Sequence, residues 1–316
     1  MAELNLRDLF YEVAAVVGAD LQDYAFILYG SEVFEEFQPD FDTCWVGTME
    51  AGTVRILRGG HGHLRGLWRS PQKHLYVAGR LGEDPHAPRE RGVFRGTRDA
   101  HGAYRWDLIR EEGNTRGVWG LHDEYVFAWS FGAGTTTMSL WNGQSWAELE
   151  SPGEVVSMHG IAPDLIYACG HRGLIARWDG SRWSRVANPA QGTVSSVFVR
   201  SEEEMYATAA GQLLLEGARH GWGTRLVASG PLDRVVVLGD DVWVTSATLG
   251  LSRLDEDALV DPIDTVRGWG AVPGDGCVLV YDGSLITELQ PDKTVTSRAP
   301  IEAKQAIREG RTPWVP

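Results

Sequence analysis

The histidines and arginines are the residues of this chain best suited to chemistry. His61-Gly62-His63 is the nearest approach to a metal pair. On an extended strand, residues two apart share a face, so both imidazoles would point the same way. No third ligand lies nearby in sequence, and no HExxH, CxxC or Asp-rich calcium loop occurs. The expectation is therefore no metal and no cofactor. Arg80, His159, His171 and Arg172 are the polar groups a lyase or hydrolase could use on a small or glycan ligand, provided they converge. Convergence is not expected. His122 follows the first strand of a hairpin unit and His171 follows the second, so their turns open on opposite ends. There is no GxSxG elbow. Phe131-Gly-Ala-Gly134 looks like a nucleotide loop but runs into Thr135-Thr-Thr-Met-Ser-Leu140, which reads as a hairpin turn.

The elements that would carry these residues repeat. Gly66-Leu-Trp68 leads through a polar turn into Leu75-Tyr-Val-Ala-Gly79. The same order recurs in Gly117–Ala128, Ser157–Gly170, Ser196–Ala207 and Arg234–Val244. Each copy is two short apolar runs around a turn of Asp, Glu, Gly or Pro, the pattern of a β-hairpin. Its aromatic anchors are Tyr76, Phe127, Tyr167, Tyr206 and Trp243. They recur about every 40 residues, with one longer interval that holds the turn-rich insertion Leu81–Arg91.

A second hairpin completes the unit. Leu140-Trp-Asn-Gly-Gln-Ser-Trp146 matches Arg177-Trp-Asp-Gly-Ser-Arg-Trp183, and Val280-Tyr-Asp-Gly283 repeats its first half. Asn-Gly and Asp-Gly suit a type I′ turn, with the flanking tryptophans packed across it. Four strands every 40 residues or so spell the blade of a β-propeller. The fold expected is all-β, a single propeller of seven four-stranded antiparallel blades, with six as the alternative. Cys277–Tyr281 and Ser284–Leu289 supply strands of one further blade. Tyr24–Tyr29, Thr43–Gly47 and Thr53–Leu57 supply the weakest, and the terminal strands are expected to share the closing blade.

The run Gly160-Ile-Ala-Pro-Asp-Leu-Ile-Tyr-Ala-Cys-Gly170 through Gly173–Trp183 resembles a class of bacterial propeller repeats with aromatic-Ala-x-Gly and Trp-Asp-Gly-x-x-Trp strands. The resemblance implies a fold and a manner of assembly, not an activity. WD40 blades, kelch blades and sialidase Asp-boxes fit less well. The Gly-His pair that precedes Trp-Asp, the glycine doublet in each repeat and the Asp-x-Gly spacing are all missing.

Residues 1–22 are read as an acidic lead-in with an amphipathic helix, since Leu6, Leu9, Phe10, Val13 and Val17 follow helical spacing between a cap at Asn5 and a stop at Gly18. Residues 23–300 form the propeller. Residues 301–316 form a helical turn over Ile301–Arg308 and a tail. Cys44, Cys169 and Cys277 lie in apolar runs without close spacing and read as buried thiols. With no signal segment and no apolar run long enough for a membrane, a cytoplasmic protein without membrane attachment is expected.

The net charge of −14 is unevenly spread. Residues 1–50 hold eleven acids against Arg7 alone, and residues 55–116 hold thirteen Lys or Arg against seven acids. The overall sign disfavours nucleic acid and suits a basic protein partner. The expectation is a non-catalytic, monomeric protein-binding module, with an immunity-type inhibitor of a basic toxin as its specific form. An enzyme at a central pocket, a scaffold and a carbohydrate-binding module are the alternatives. Partner contacts are expected at Glu32, Glu35, Glu36, Asp40, Trp68, Trp119 and Trp269, the tryptophans lining or backing the central channel.

Overall fold

The computed structural model describes residues 9–32, 43–82, 89–132, 135–263, 266 and 268–310. The chain runs as consecutive antiparallel strands and ends in a helix. The first sheet holds β1 (Leu9–Asp20), β2 (Asp23–Glu32), β3 (Thr43–Glu50) and β4 (Thr53–Arg69). It continues through β5 (Leu75–Gly82), β6 (Glu90–Arg98) and β7 (Tyr104–Glu111). The second holds β8 (Thr115–His122), β9 (Tyr125–Gly132), β10 (Thr135–Trp141) and β11 (Trp146–Leu149). The third holds β12 (Val155–Ala162), β13 (Leu165–Gly170), β14 (Leu174–Trp178) and β15 (Trp183–Arg185).

The fourth holds β16 (Val194–Val199), β17 (Met205–Ala209), β18 (Leu213–Ala218) and β19 (Gly221–Val227). The fifth holds β20 (Arg234–Leu238), β21 (Asp241–Ser246), β22 (Gly250–Asp255) and β23 (Ala258–Ile263). The last holds β24 (Gly270–Pro273), β25 (Val278–Tyr281), β26 (Ile286–Leu289) and β27 (Val295–Arg298), followed by α1 (Ile301–Arg308).

The seven-stranded sheet is two four-stranded units that share one long strand. β3 pairs with β4 over Thr53–His61, and β5 pairs with it over His61–Arg69. Elsewhere each sheet is one unit. Their second strands are the most buried: β5 and β9 are almost wholly apolar and enclosed, and β13 is buried along its whole length. Neighbouring sheets bury these strands face to face, as small sheets around a ring must.

Among the described residues the amino-terminal segment is not helical. Leu9–Asp20 is a strand, while Asn5 and Leu6 lie outside the described residues. Tyr11 and Val13 face the core in strand alternation, and a register shift between Val13 and Ala15 then resets the phase so that Val16 is buried. A bulge inside an alternating run leaves apolar residues three apart, which imitates a helical period. The β-branched Val13, Val16 and Val17 favour the strand.

The terminal strands do not share a sheet either. β24–β27 come wholly from the carboxy-terminal side, and β1 packs against them from the next sheet. The helix expected over Ile301–Arg308 is α1, with Ala303 and Ile307 buried.

Two hairpin expectations change in detail. The connection between β10 and β11 is a four-residue loop, Asn142–Ser145, closed between Trp141 and Trp146. Only Gly143 takes a positive φ (93°), and the Asn142 side chain accepts the amides of Gln144 and Ser145. Asp179 does the same for Ser181 and Arg182, so the side chain shapes the turn that a type I′ backbone would otherwise make. The tryptophans pack across these loops, at 5.4 Å for Trp141–Trp146 and 5.3 Å for Trp178–Trp183. Asp282-Gly283 instead joins β25 to β26, between the second and third strands of its unit.

Candidate functional site: a central channel and its two ends

The first strands of the units surround one channel of about 530 Å³. Seven stretches line it: Ala14–Val17, Arg65–Trp68, Arg116–Leu121, Val156–Gly160, Ser196–Phe198, Arg234–Val236 and Ala271–Pro273. These strands run the same way. Gly66 abuts Gly117, and the Val235 amide donates to the Ser196 hydroxyl. Turns joining first to second and third to fourth strands therefore open on one end of the ring. Turns joining second to third strands open on the other.

Trp68, Trp119, His159 and Phe198 occupy one equivalent register, opposite the anchors Tyr76, Phe127, Tyr167 and Tyr206. They form an aromatic belt between units. Trp119 lies 6.5 Å from His159, and His159 stacks on Phe198 at 4.4 Å. The His159 Nδ1 accepts the Val199 amide at 3.0 Å. Burial depresses its pKa to about 4, so it is a neutral acceptor at physiological pH. This histidine fixes the joint between two units rather than offering a proton to a ligand.

The other pocket candidates do not join it. Arg80 is exposed at the end of β5. His171 lies in the β13–β14 turn, turned toward the Thr193 hydroxyl at 2.9 Å and edge-on to Phe131 at 5.5 Å. Arg172, beside it, takes a left-handed φ of 57° on that turn. Arg80 and the His171–Arg172 turn belong to different sheets. His122 closes the turn after β8 at the opposite end, as its place in the repeat implied.

The tryptophan expectations divide. Trp68 and Trp119 line the channel. Trp269 does not; it is half exposed just before β24, against Gly283. Glu35, Glu36 and Asp40 lie outside the described residues, and Glu32 ends β2. Cys44, Cys169 and Cys277 are buried free thiols, with burial raising Cys44 and Cys169 to about 12 and Cys277 to about 11. Thiols so protonated are poor nucleophiles. Among the described residues, no group of three His, Cys, Asp or Glu could hold a metal ion. No helix among them is long and apolar enough to cross a membrane.

The two ends differ in charge. Where first strands turn into second strands, Glu124, Asp164, Glu203, Asp240 and Asp275 stand exposed in five consecutive units. The half-exposed Ile161 stands on the same rim. At the other end, Arg65, Arg116 and Arg234 head their inner strands, and Arg80 and Arg91 lie beside Arg65. The acidic rim was legible only once the repeat gave each turn its end of the ring. Of the basic mouth only Arg80 was singled out from the sequence, because its residues come from five strands and belong to no motif.

No family model matches the chain, and no curated protein matches it. Solved structures do. The WD40 propeller domain of Doa1 is 11% identical over 94% of this chain and 99% of that one, with a TM-score of 0.60. YCF48 from Cyanidioschyzon merolae is 14% identical over 89% and 99%, with a TM-score of 0.58. A structure of YCF48 bound to D1 peptide covers 94% and 96% at 12% identity and the same TM-score. Likeness at such identities establishes the β-propeller fold and nothing about activity.

Proposed function

We propose that this chain is a seven-bladed, non-catalytic propeller that binds a basic protein on its acidic rim. Seven inner stretches around one channel support the count, with β4 serving as the outer strand of one blade and the inner strand of the next. The Trp-Asp-Gly-x-x-Trp resemblance supports membership of the bacterial repeat class. The observation that carries the function is the arc Glu124, Asp164, Glu203, Asp240 and Asp275, five exposed carboxylates in consecutive turns, of which Asp240 is paired with Arg200. Carboxylates arrayed on one rim steer a cationic partner and speed its encounter. Ile161 among them offers an apolar contact of the kind that holds a complex once formed. Peptide binding by a protein of the same fold, YCF48, is compatible with this use of a propeller. The specific form proposed is a cytoplasmic, monomeric immunity-type inhibitor whose partner is a basic toxin.

The test compares the protein with Glu124→Lys/Asp164→Lys/Glu203→Lys as baits in the native host's extract, at low and high salt. One stoichiometric basic partner is expected, lost at high salt and lost to the variant. Equal capture by both baits would overturn the acidic-rim reading.

A further inference from the structure

A second recognition site lies at the opposite end of the ring. Beside the channel mouth is a groove of about 350 Å³ lined by His63, Arg65, Arg80, Arg91 and Thr115, with Gly79, Gly113 and Asn114. Its basic residues come from three adjacent strands in register, with His63 opposite Arg80 and Arg80 opposite Arg91. Gly113, Asn114 and Thr115 of the next sheet and its lead-in form the facing wall. Directly opposed residues point to the same face of a sheet, so three basic side chains stand side by side. The Arg80 and Arg91 charges in that arrangement repel, and a carboxylate is the usual remedy. Two of the neighbouring acids are used elsewhere, and a third, Glu111 opposite Gly92, is exposed. Glu90 pairs with Arg58 at 3.0 Å. Glu112 pairs with Arg110 at 2.9 Å and takes hydrogen bonds from Ser130 and Thr137. Among the described residues, no carboxylate lies within ion-pair distance of Arg65, Arg80 or Arg91.

The groove wall also carries an unpartnered hydroxyl. Thr115 is 3% exposed and lines the groove, yet its Oγ1 has no hydrogen-bond partner. A buried hydroxyl left without a partner costs about 1–3 kcal/mol, which a ligand oxygen would relieve. Next to it, Arg116 lies over the Phe131 ring at 4.8 Å and donates to the Phe131 carbonyl at 3.3 Å, which fixes a further cation where groove meets channel. His63 packs at a tilt against Tyr29, with ring centroids 4.8 Å apart. Burial, then Arg80 and Arg116, hold its pKa below the usual histidine range. An anion in the groove would offset those charges and let the imidazole take up a proton.

We propose that this groove binds the phosphoryl dianion of a small phosphate monoester. Guanidinium forks match phosphate oxygens two at a time. Several arginines around one point complement a dianion better than a carboxylate's single charge. The groove's volume leaves room beside the phosphoryl group for the organic part of the ester.

Calorimetric titration of the full chain with phenyl phosphate, benzoate and inorganic phosphate tests this. Phenyl phosphate is expected to bind saturably at one site, at least tenfold more tightly than benzoate, and more tightly than inorganic phosphate. Arg80→Ala/Arg91→Ala should weaken it tenfold or more, and Thr115→Val severalfold. Arg182→Ala, on an exposed turn at the other end, should leave it unchanged. Both arginines are exposed, and unaltered melting of the double variant will show that it folds. No saturable binding, equal binding of benzoate, or binding indifferent to Arg80→Ala/Arg91→Ala would overturn the site. Inorganic phosphate binding as tightly as the ester would overturn its assignment to an ester.

Discussion

Two kinds of joint hold this ring closed, and they are built differently. Between ordinary neighbours the joint uses aromatic side chains with polar handles. Tyr76 donates to Asp123 of the next unit at 2.8 Å. Tyr125 accepts the Trp178 indole at 2.9 Å and donates to the Pro163 carbonyl at 3.0 Å. His159 serves Val199 in the same manner. Where the last sheet meets the first, the polar ties run mainly to the backbone. The Val13 amide donates to Gly283, the Asp275 amide to Ala19 and the Leu21 amide to the Glu288 carboxylate. The rest is an apolar cluster of Tyr11, Val16, Leu279 and Ile286 sealed by Ala303 and Ile307 of α1. A ring whose closing sheet is not shared between the two ends of the chain depends on what is packed over its seam.

The largest effect expected from that difference is at Ile307, which is fully buried. Ile307→Ala should cost about 2–5 kcal/mol, and so should Leu165→Ala at an ordinary joint. The two losses should be distributed differently. In Ile307→Ala, hydrogen exchange at the Val13, Leu21 and Asp275 amides should quicken by local opening while Val199 stays protected. In Leu165→Ala, exchange should follow global unfolding. If Ile307→Ala quickens all four amides alike, the seam does not open on its own and the contrast fails.

The ordinary joints were legible in the sequence because they repeat. Trp68, Trp119, His159 and Phe198 announce one register, and Trp-Asp-Gly-Ser-Arg-Trp183 announces a hairpin whose asparagine or aspartate shapes the turn. The seam repeats nothing. Its first strand carries a bulge at Ala14 that disguises alternation as helical spacing, and its seal is a helix with no counterpart in any blade. The basic groove was hidden for a related reason. His63, Arg80 and Arg91 are far apart in the chain and become neighbours only through strand register. The acidic turns, by contrast, follow the repeat and could be read from it.

A pH titration sharpens the comparison with a smaller effect. His159 has a folded pKa of about 4, against an ordinary value of 6.5. Between those values the unfolded chain binds more protons, so stability falls as pH drops through that window and is unaffected by this group above it. The full window amounts to about 3 kcal/mol. At the seam, burial raises the Glu12 carboxyl above its usual range, with Lys304 opposing. A raised carboxyl acts with the opposite sign, favouring the fold as it becomes protonated. His159→Gln keeps an acceptor for Val199 and should flatten the fall in stability from pH 6.5 to 4 in denaturant melts. An unchanged fall would place the proton uptake at another group.

The smallest effect compares one polar tie from each kind of joint. Tyr125→Phe leaves the Trp178 indole without its acceptor and the Pro163 carbonyl without its donor. Because Tyr125 is only partly buried, water recovers some of the loss, and the expected cost is about 1 kcal/mol. Glu288→Gln keeps an amide oxygen to accept the Leu21 amide. It removes the charge and the oxygen that accepts Gln290 Nε2, and Gln290 can turn its own amide oxygen to the new NH2, so it should cost less. The ordinary joint then ranks above the seam in its dependence on polar side chains. A larger loss for Glu288→Gln in parallel melts would reverse that ranking. The seam would then depend on the Glu288 charge as well as on the apolar cover that α1 provides.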